Sequence, residues 1–275
     1  MKRPVSMMLG MIILLGCTPT PSPSEAPPAS FANIPPFVWH DIAKHLGKEI
    51  HDITADDLES LEEFYLSQGS PESSETRRVY DLSFLGSMKR LKRISIDQIN
   101  VVDYHFLSKL NQLEYLSISG FQASQLPSFE AFPSLKYLAL SDGDLESLDP
   151  LTSLSELNTL WIDNNQVTDL SPVYAMKKLE FLEISNNPIA SIDVVKELPV
   201  LHRLQMRDTH VNSIDALSGK SLQYLDIRHT PVQSVRPLIH MDTLEYLLTD
   251  NKEMKDVSEL SDKVRISDVT ITDGN

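Results

Sequence analysis

The chain has 275 residues, 41% of them hydrophobic and only 9 of them Gly, enough to bury one continuous core without disulfides or structural metals. Lys and Arg total 24 against 39 Asp and Glu, a formal charge of −15 that argues against nucleic acid or another polyanion as partner. The one cysteine, Cys17, excludes an intramolecular disulfide framework and any zinc site built from several thiolates.

Lys2 and Arg3 precede an apolar run from Met7 to Leu15, which is how an export signal is built and is too short to span a bilayer. The run ends in Leu14-Leu15-Gly16-Cys17, which resembles the lipobox of bacterial lipoproteins; Leu15 stands where that family more often has Ala, Ser or Thr. The resemblance implies a leader over 1–16, cleavage before Cys17 and acylation of that cysteine, with each buried methylene adding about 0.8 kcal/mol of membrane affinity. Loss of Lys2 and Arg3 leaves 22 basic against 39 acidic residues, 22 − 39 = −17, so lipid and not a basic patch would be the anchor. Thr18 stands where Gram-negative lipoproteins kept in the inner membrane carry Asp. Pro, Ser, Thr and Ala dominate the following residues, so 17–36 is predicted to be an extended tether of about 3.1 Å per residue where it is polyproline-like.

Val38, Trp39, Ile42 and Leu46 fall at helical spacing within 36–46, and a second helix is predicted at Thr54 with Asp57 three residues on as a capping box. Together they form a helical cap over 37–60. Leu61-Glu-Glu-Phe64-Tyr-Leu66 opens an irregular first repeat, swollen by the polar stretch 67–78.

Beyond it a fixed period takes over. Leu91, Leu113, Leu135, Leu157, Leu179, Leu201, Leu222 and Leu244 are separated by six intervals of 22 residues and one of 21. Each leucine begins the phrase LxxLxL, as in Leu113-Glu-Tyr-Leu116-Ser-Ile118 and Leu179-Glu-Phe-Leu182-Glu-Ile184. Counting that leucine as position one, positions four and six of the strand face inward and positions three, five and seven outward. One repeat cannot bury its own leucines, so neighbours must stack. The return path carries apolar residues and proline, as in Val167-Thr-Asp-Leu170-Ser-Pro172-Val173, and predicts short 3₁₀ turns instead of long helices.

The pattern over 61–271 resembles leucine-rich repeats, in particular the 22-residue class of internalins and related bacterial surface proteins. That implies an α/β horseshoe solenoid with a parallel concave β-sheet, 3₁₀ turns on the convex side and an N-terminal helical cap. Asn165 and Asn187 occupy position nine, where the family places an inward asparagine; Ile99, Phe121, Gly143, Thr209, Thr230 and Lys252 hold the slot elsewhere. Repeats are assigned to 61–263. Val264, Ile266, Val269 and Ile271 alternate as a closing strand within a C-terminal cap and tail over 264–275.

The outward positions define the candidate contact surface, roughly 35 Å across eight strands at about 4.8 Å each. Tyr115, Tyr137, Phe181, Tyr224 and Tyr246 occupy position three, and Trp161 and Tyr65 position five. Adjacent rings can simply pack on one another, or they can serve a partner as binding hot spots. Arg203 and Arg228 complete the candidate partner-binding set of Tyr115, Tyr137, Trp161, Phe181, Arg203, Tyr224, Arg228 and Tyr246. Lys92, Arg93, Lys136 and Arg207 share this surface with Asp97, Asp142, Asp163, Glu180, Glu183, Asp208, Asp226 and Asp250, so a partner with a basic patch is expected.

Motifs for chemistry are weak. Gly219-Lys220-Ser221 lacks the first glycine of a phosphate-binding loop, and His40, Asp41 and His45 lack the spacing of a helical zinc site. His202, Arg203, Asp226 and His229 could converge but include no nucleophile, and Asp142-Gly143-Asp144 with Glu146 supplies few ligands for calcium. The expectation is a binding module with no enzyme activity, cofactor or metal, held in the bacterial envelope outside the cytoplasm, with a protein ligand. An envelope-structural lipoprotein binding glycan or peptidoglycan is the alternative.

Overall fold

The computed structural model describes residues 34–67, 78–250 and 254–267. The expected leader, Cys17 and most of the expected tether lie outside the described residues, as do Lys252, Val269 and Ile271. Each LxxLxL phrase forms one strand: β2 (Arg93–Asp97), β3 (Tyr115–Ser119), β4 (Tyr137–Ser141), β5 (Thr159–Trp161), β6 (Phe181–Glu183), β7 (Arg203–Gln205), β8 (Tyr224–Asp226) and β9 (Tyr246–Leu248). The first phrase gives β1 (Glu63–Ser67) and the closing segment β10 (Arg265–Ser267). The ten described strands form one parallel sheet in sequence order. It therefore extends one strand beyond the regular phrases at each end, to roughly 43 Å across.

Register repeats with the period. Leu116 pairs with Leu138, Leu160 with Leu182 and Leu204 with Leu225, so position four of every repeat enters the same apolar column. Those leucines and the position-one leucines are buried, in a core that runs unbroken from Ile34 to Leu260. Buried asparagines close the turn beyond the strand. Asn165 accepts from the Leu145 N–H at 3.0 Å and donates to the carbonyls of Leu140 and Ile162 at 2.8 and 3.0 Å. Asn187 repeats the arrangement one turn on, accepting from Val167 N–H at 3.0 Å and donating to Ile162 and Ile184 at 2.8 and 3.1 Å. Thr209 and Thr230 reach only the carbonyls of Met206 and Ile227 in their own repeats. At Gly143 the slot is shared differently: a Cβ there would lie 2.4 Å from the ring of Phe121, whose side chain fills the space from the preceding repeat.

One lane of the backbone has no counterpart in the sequence expectations. Position eight is left-handed in successive repeats, at Gln98, Gly120, Asp142, Asn164, Asn186, Asp208 and His229, with φ between 53° and 71°. Gly, Asn and Asp adopt that conformation at least cost, and they hold most of these slots.

The return segments form short 3₁₀ turns, three of which carry proline in their first positions, at Asp149–Leu151, Ser171–Ala175 and Arg236–Leu238. A side-chain oxygen two residues earlier caps many of them. Asp81, Asp103, Asp169, Ser191 and Ser213 accept from the backbone N–H of Ser83, His105, Ser171, Asp193 and Asp215. The first repeat is covered by α1 (Pro36–Leu46), which buries Val38, Trp39 and Ile42 and ends at Gly47 with φ 63°. Then α2 (Ala55–Glu59) starts with the predicted capping box: Asp57 N–H donates to Thr54 Oγ1 at 3.2 Å and Thr54 N–H to Asp57 Oδ2 at 2.9 Å.

Candidate binding surface on the concave sheet face

Parallel register brings position three of neighbouring repeats side by side, so rings there must meet. Tyr115 and Tyr137 are stacked, with centroids 4.2 Å apart and planes 11° from parallel. On β5 the third position is Thr159, and the ring comes from position five instead. Trp161 lies beside the small Ala139 of β4, 5.8 Å from Tyr137 and 5.5 Å from Phe181, with planes tilted by 53° and 68°. The Arg203 guanidinium follows, 5.2 Å from Phe181 and 4.8 Å from Tyr224, and Tyr224 then meets Tyr246 at 6.2 Å.

Arginines close both ends of the row. Arg93 lies 4.3 Å over Tyr115 and Arg265 lies 5.4 Å over Tyr246. Arg93 Nε donates to the Tyr65 hydroxyl at 3.0 Å, which itself donates to Glu63 at 2.8 Å. An aromatic–arginine ladder therefore crosses the whole sheet from β1 to β10. Burial within it pushes the Tyr137 hydroxyl well above the usual tyrosine range.

Alternation alone places positions three, five and seven outward, and two of the candidate contact residues depart from that expectation. Tyr224 and Arg228 are buried, at 6% and 8% exposure. Arg228 folds back on Asp226, with Nε to Oδ1 at 2.9 Å and Nη2 to Oδ2 at 2.5 Å, a fork that removes both charges from the surface. Tyr115, Tyr137, Trp161, Phe181, Arg203 and Tyr246 are half-buried, presenting part of each side chain to solvent.

Glu183, at position five and so placed outward by alternation, is only 8% exposed. Its Oε1 accepts from Ser185 N–H at 2.9 Å. Burial first, then the neighbouring charges of Asp163 and Asp226, push its carboxyl up to about 7. Alternation alone could not show this, because the burial arises across the sheet, where Glu183 lies in register between Trp161 and Gln205 of the neighbouring strands.

At the sheet exit, Ser141 donates to Asp163 at 2.6 Å, Ser119 to Asp97, and Gln98 to Asp142 at 3.1 Å. Burial raises the Asp142 carboxyl above its usual range, and Asp163 and Asp97 add to the effect. The four residues His202, Arg203, Asp226 and His229 do not form one cluster. His229 engages Asp208 at 3.0 Å, Asp226 engages Arg228, and Arg203 lies between two rings. Asp144 caps Ala123 N–H at 2.5 Å. Among the described residues no group of three or more His, Cys, Asp and Glu is placed to hold a metal ion, and no helix is long and apolar enough to cross a membrane.

Residues 133–175 match the family described as leucine-rich repeats in two copies. Comparison with curated protein sequences gives no match. Among solved structures, an internalin (inlF) from Listeria monocytogenes superposes with a TM-score of 0.64 at 19% identity, over 84% of this chain and 70% of that one. Internalin C2 (inlC2) from Listeria monocytogenes gives 0.63 at 22% identity, over 78% and 92% of the two chains. The functional domain of InlJ from the same species, described as including a cysteine ladder, gives 0.52 at 16% identity, over 82% and 57%. At these identities the likeness is one of fold, and the chain is a leucine-rich-repeat solenoid of the architecture seen in internalins.

Proposed function

We propose that this protein is a lipid-anchored recognition module of the bacterial envelope, held outside the cytoplasm, which binds a protein partner on its concave face and catalyses no reaction. The observation that carries the proposal is the aromatic–arginine ladder, a row of packed rings and guanidiniums long enough for a protein interface and made of the residue types that dominate hot spots. Fold likeness to the Listeria internalins is consistent with it by analogy. In this account 1–16 is a leader, Cys17 carries the lipid, 17–36 is a spacer, 37–60 caps the solenoid, 61–263 are the repeats and 264–275 close it.

At Tyr115 the ring geometry favours protein over sugar. One face of Tyr115 lies against Arg93 and the other against Tyr137, so the ring offers its edge and hydroxyl to a partner, whereas stacking on a pyranose needs a free face. The experiment is capture from native envelope and extracellular extracts on residues 18–275. It is run beside a variant with Tyr115, Tyr137, Trp161 and Phe181 changed to Ser and a second with Tyr174→Ser, all shown folded by circular dichroism. A protein retained by the parent and by Tyr174→Ser but lost from the first variant supports the concave interface; equal retention by all three contradicts it. Lipid attachment is tested by labelling with an alkyne fatty acid, which Cys17→Ser should abolish.

A further inference from the structure

We propose that the middle of the concave face is a subsite for one arginine side chain of the partner, with the Trp161 ring as its platform and Asp163 and Glu183 as its counter-charges. It rests on the concave face being the contact surface.

Charge and geometry converge there. Across β3 to β6 the outward positions three, five and seven carry two carboxylates, Asp163 and Glu183, and no Lys or Arg. The side groups that hold these carboxylates are neutral: Ser141 and Asn164 donate to Asp163 at 2.6 and 2.8 Å, and Ser185 N–H donates to Glu183 at 2.9 Å. Asp163 is half-buried and Glu183 only 8% exposed, and carboxylates so withdrawn from water beside an aromatic wall favour a cation that can satisfy both.

The same face shows which cation it accommodates. Three of its own guanidiniums rest on its rings, Arg93 on Tyr115, Arg203 between Phe181 and Tyr224, and Arg265 on Tyr246, at 4.3 to 5.4 Å. Between Arg93 and Arg203 the ladder passes through Tyr115, Tyr137, Trp161 and Phe181 with no cation among them. The parallel stack also opens at this point, from 11° between the two tyrosines to 53° and 68° around Trp161, so the indole is not matched face to face by a neighbour. A planar guanidinium can lie on a ring and direct its N–H groups to carboxylates at once, which an ammonium does less well. Glu183 is the register neighbour of Trp161, which places the nearer carboxylate beside the platform.

The test needs no identified partner. Residues 18–275, which include every described residue, are titrated with acetyl-Gly-Arg-Gly-amide, with its citrulline counterpart, which keeps the shape and loses the charge, and with the lysine counterpart. The indole N–H resonance of Trp161, assigned with Trp161→Phe, is the readout, and Trp39, 2% exposed on the cap helix α1, is the internal control. The arginine peptide is expected to move the Trp161 signal and leave Trp39 in place. Binding should be about tenfold weaker with citrulline, and weaker by a similar factor in the folded Glu183→Gln and Asp163→Asn double variant. Equal response to arginine and citrulline, response unchanged in the double variant, or no response to any peptide overturns the subsite. Failure of protein capture with a discriminating arginine response would count against the protein-partner account alone, whereas capture without that discrimination would count against the subsite alone.

Discussion

Asp226 and Arg228, two residues apart on β8 and its exit, hold each other in a buried fork, with side chains only 3% and 10% exposed. Breaking such a pair on one side leaves a charge in a place that water barely reaches, whereas removing both partners need not. Arg228→Ala should therefore lower unfolding free energy in urea by about 3–5 kcal/mol. Asp226→Leu combined with Arg228→Met should cost clearly less than the single change. Equal losses would mean that the fork is solvated in solution.

The two position-nine asparagines make a second prediction. Asn187 joins the Val167 N–H of one repeat to three carbonyls in two repeats from a site 3% exposed. Asn187→Ala leaves those groups unsatisfied and should cost about 1–3 kcal/mol. Thr209→Ala, which loses a single bond to Met206 within its own repeat, should cost less. Urea unfolding of both variants ranks them.

Gly143 and Phe121 give a packing prediction. Because a Cβ at residue 143 would lie 2.4 Å from the Phe121 ring, Gly143→Ala should destabilise by about 1–3 kcal/mol. The same change made in a Phe121→Ala background should cost far less. Additivity of the two changes in a double-mutant cycle would contradict the contact.

Glu183 predicts how stability varies with pH. A carboxyl whose pKa rises from 4.5 to about 7 on folding binds its proton more tightly in the native state. That contribution is complete below about 4.5 and is lost as pH rises through about 7. Asp41, pushed up to about 6 mainly by burial, acts in the same direction. Asp57 is held down to about 2, first by its bond to Lys48, and acts oppositely, its contribution lost as pH falls below 4. The groups facing Glu183 are Asp163 from β5, Asp226 with its partner Arg228 from β8, and the neutral Gln205 of β7. The melting temperature should rise by a few degrees between pH 8 and pH 5.5, and Glu183→Gln should remove most of that slope. A slope unchanged in Glu183→Gln would place the titration elsewhere.

How much of this was legible beforehand depends on which length scale sets each feature. The spacing of Leu91 through Leu244 specified the strands, their parallel order and the 3₁₀ returns, because one buried column needs the same residue at the same step each time. Thr54 and Asp57 likewise announced their capping box locally. The burial of Glu183, Tyr224 and Arg228 was not legible from alternation, since all three occupy outward positions: Tyr224 packs against Arg203 and Tyr246 of the adjacent strands, and Arg228 folds onto Asp226 of its own repeat. The left-handed lane at position eight did leave a signal, in Gly120, Asp142, Asn164, Asn186 and Asp208, which a count of leucines alone passes over.

The measurement that bears most directly on the concave ladder as a recognition surface is hydroxyl-radical footprinting of residues 18–275, free and bound to the captured protein. Tyr115, Trp161 and Tyr246 should be oxidised more slowly in the complex, while Tyr174, 56% exposed on a return turn and paired with Lys177, should react at its free rate. Protection of Tyr174 with unchanged rates at Tyr115, Trp161 and Tyr246 would move the interface off the concave face and contradict the account.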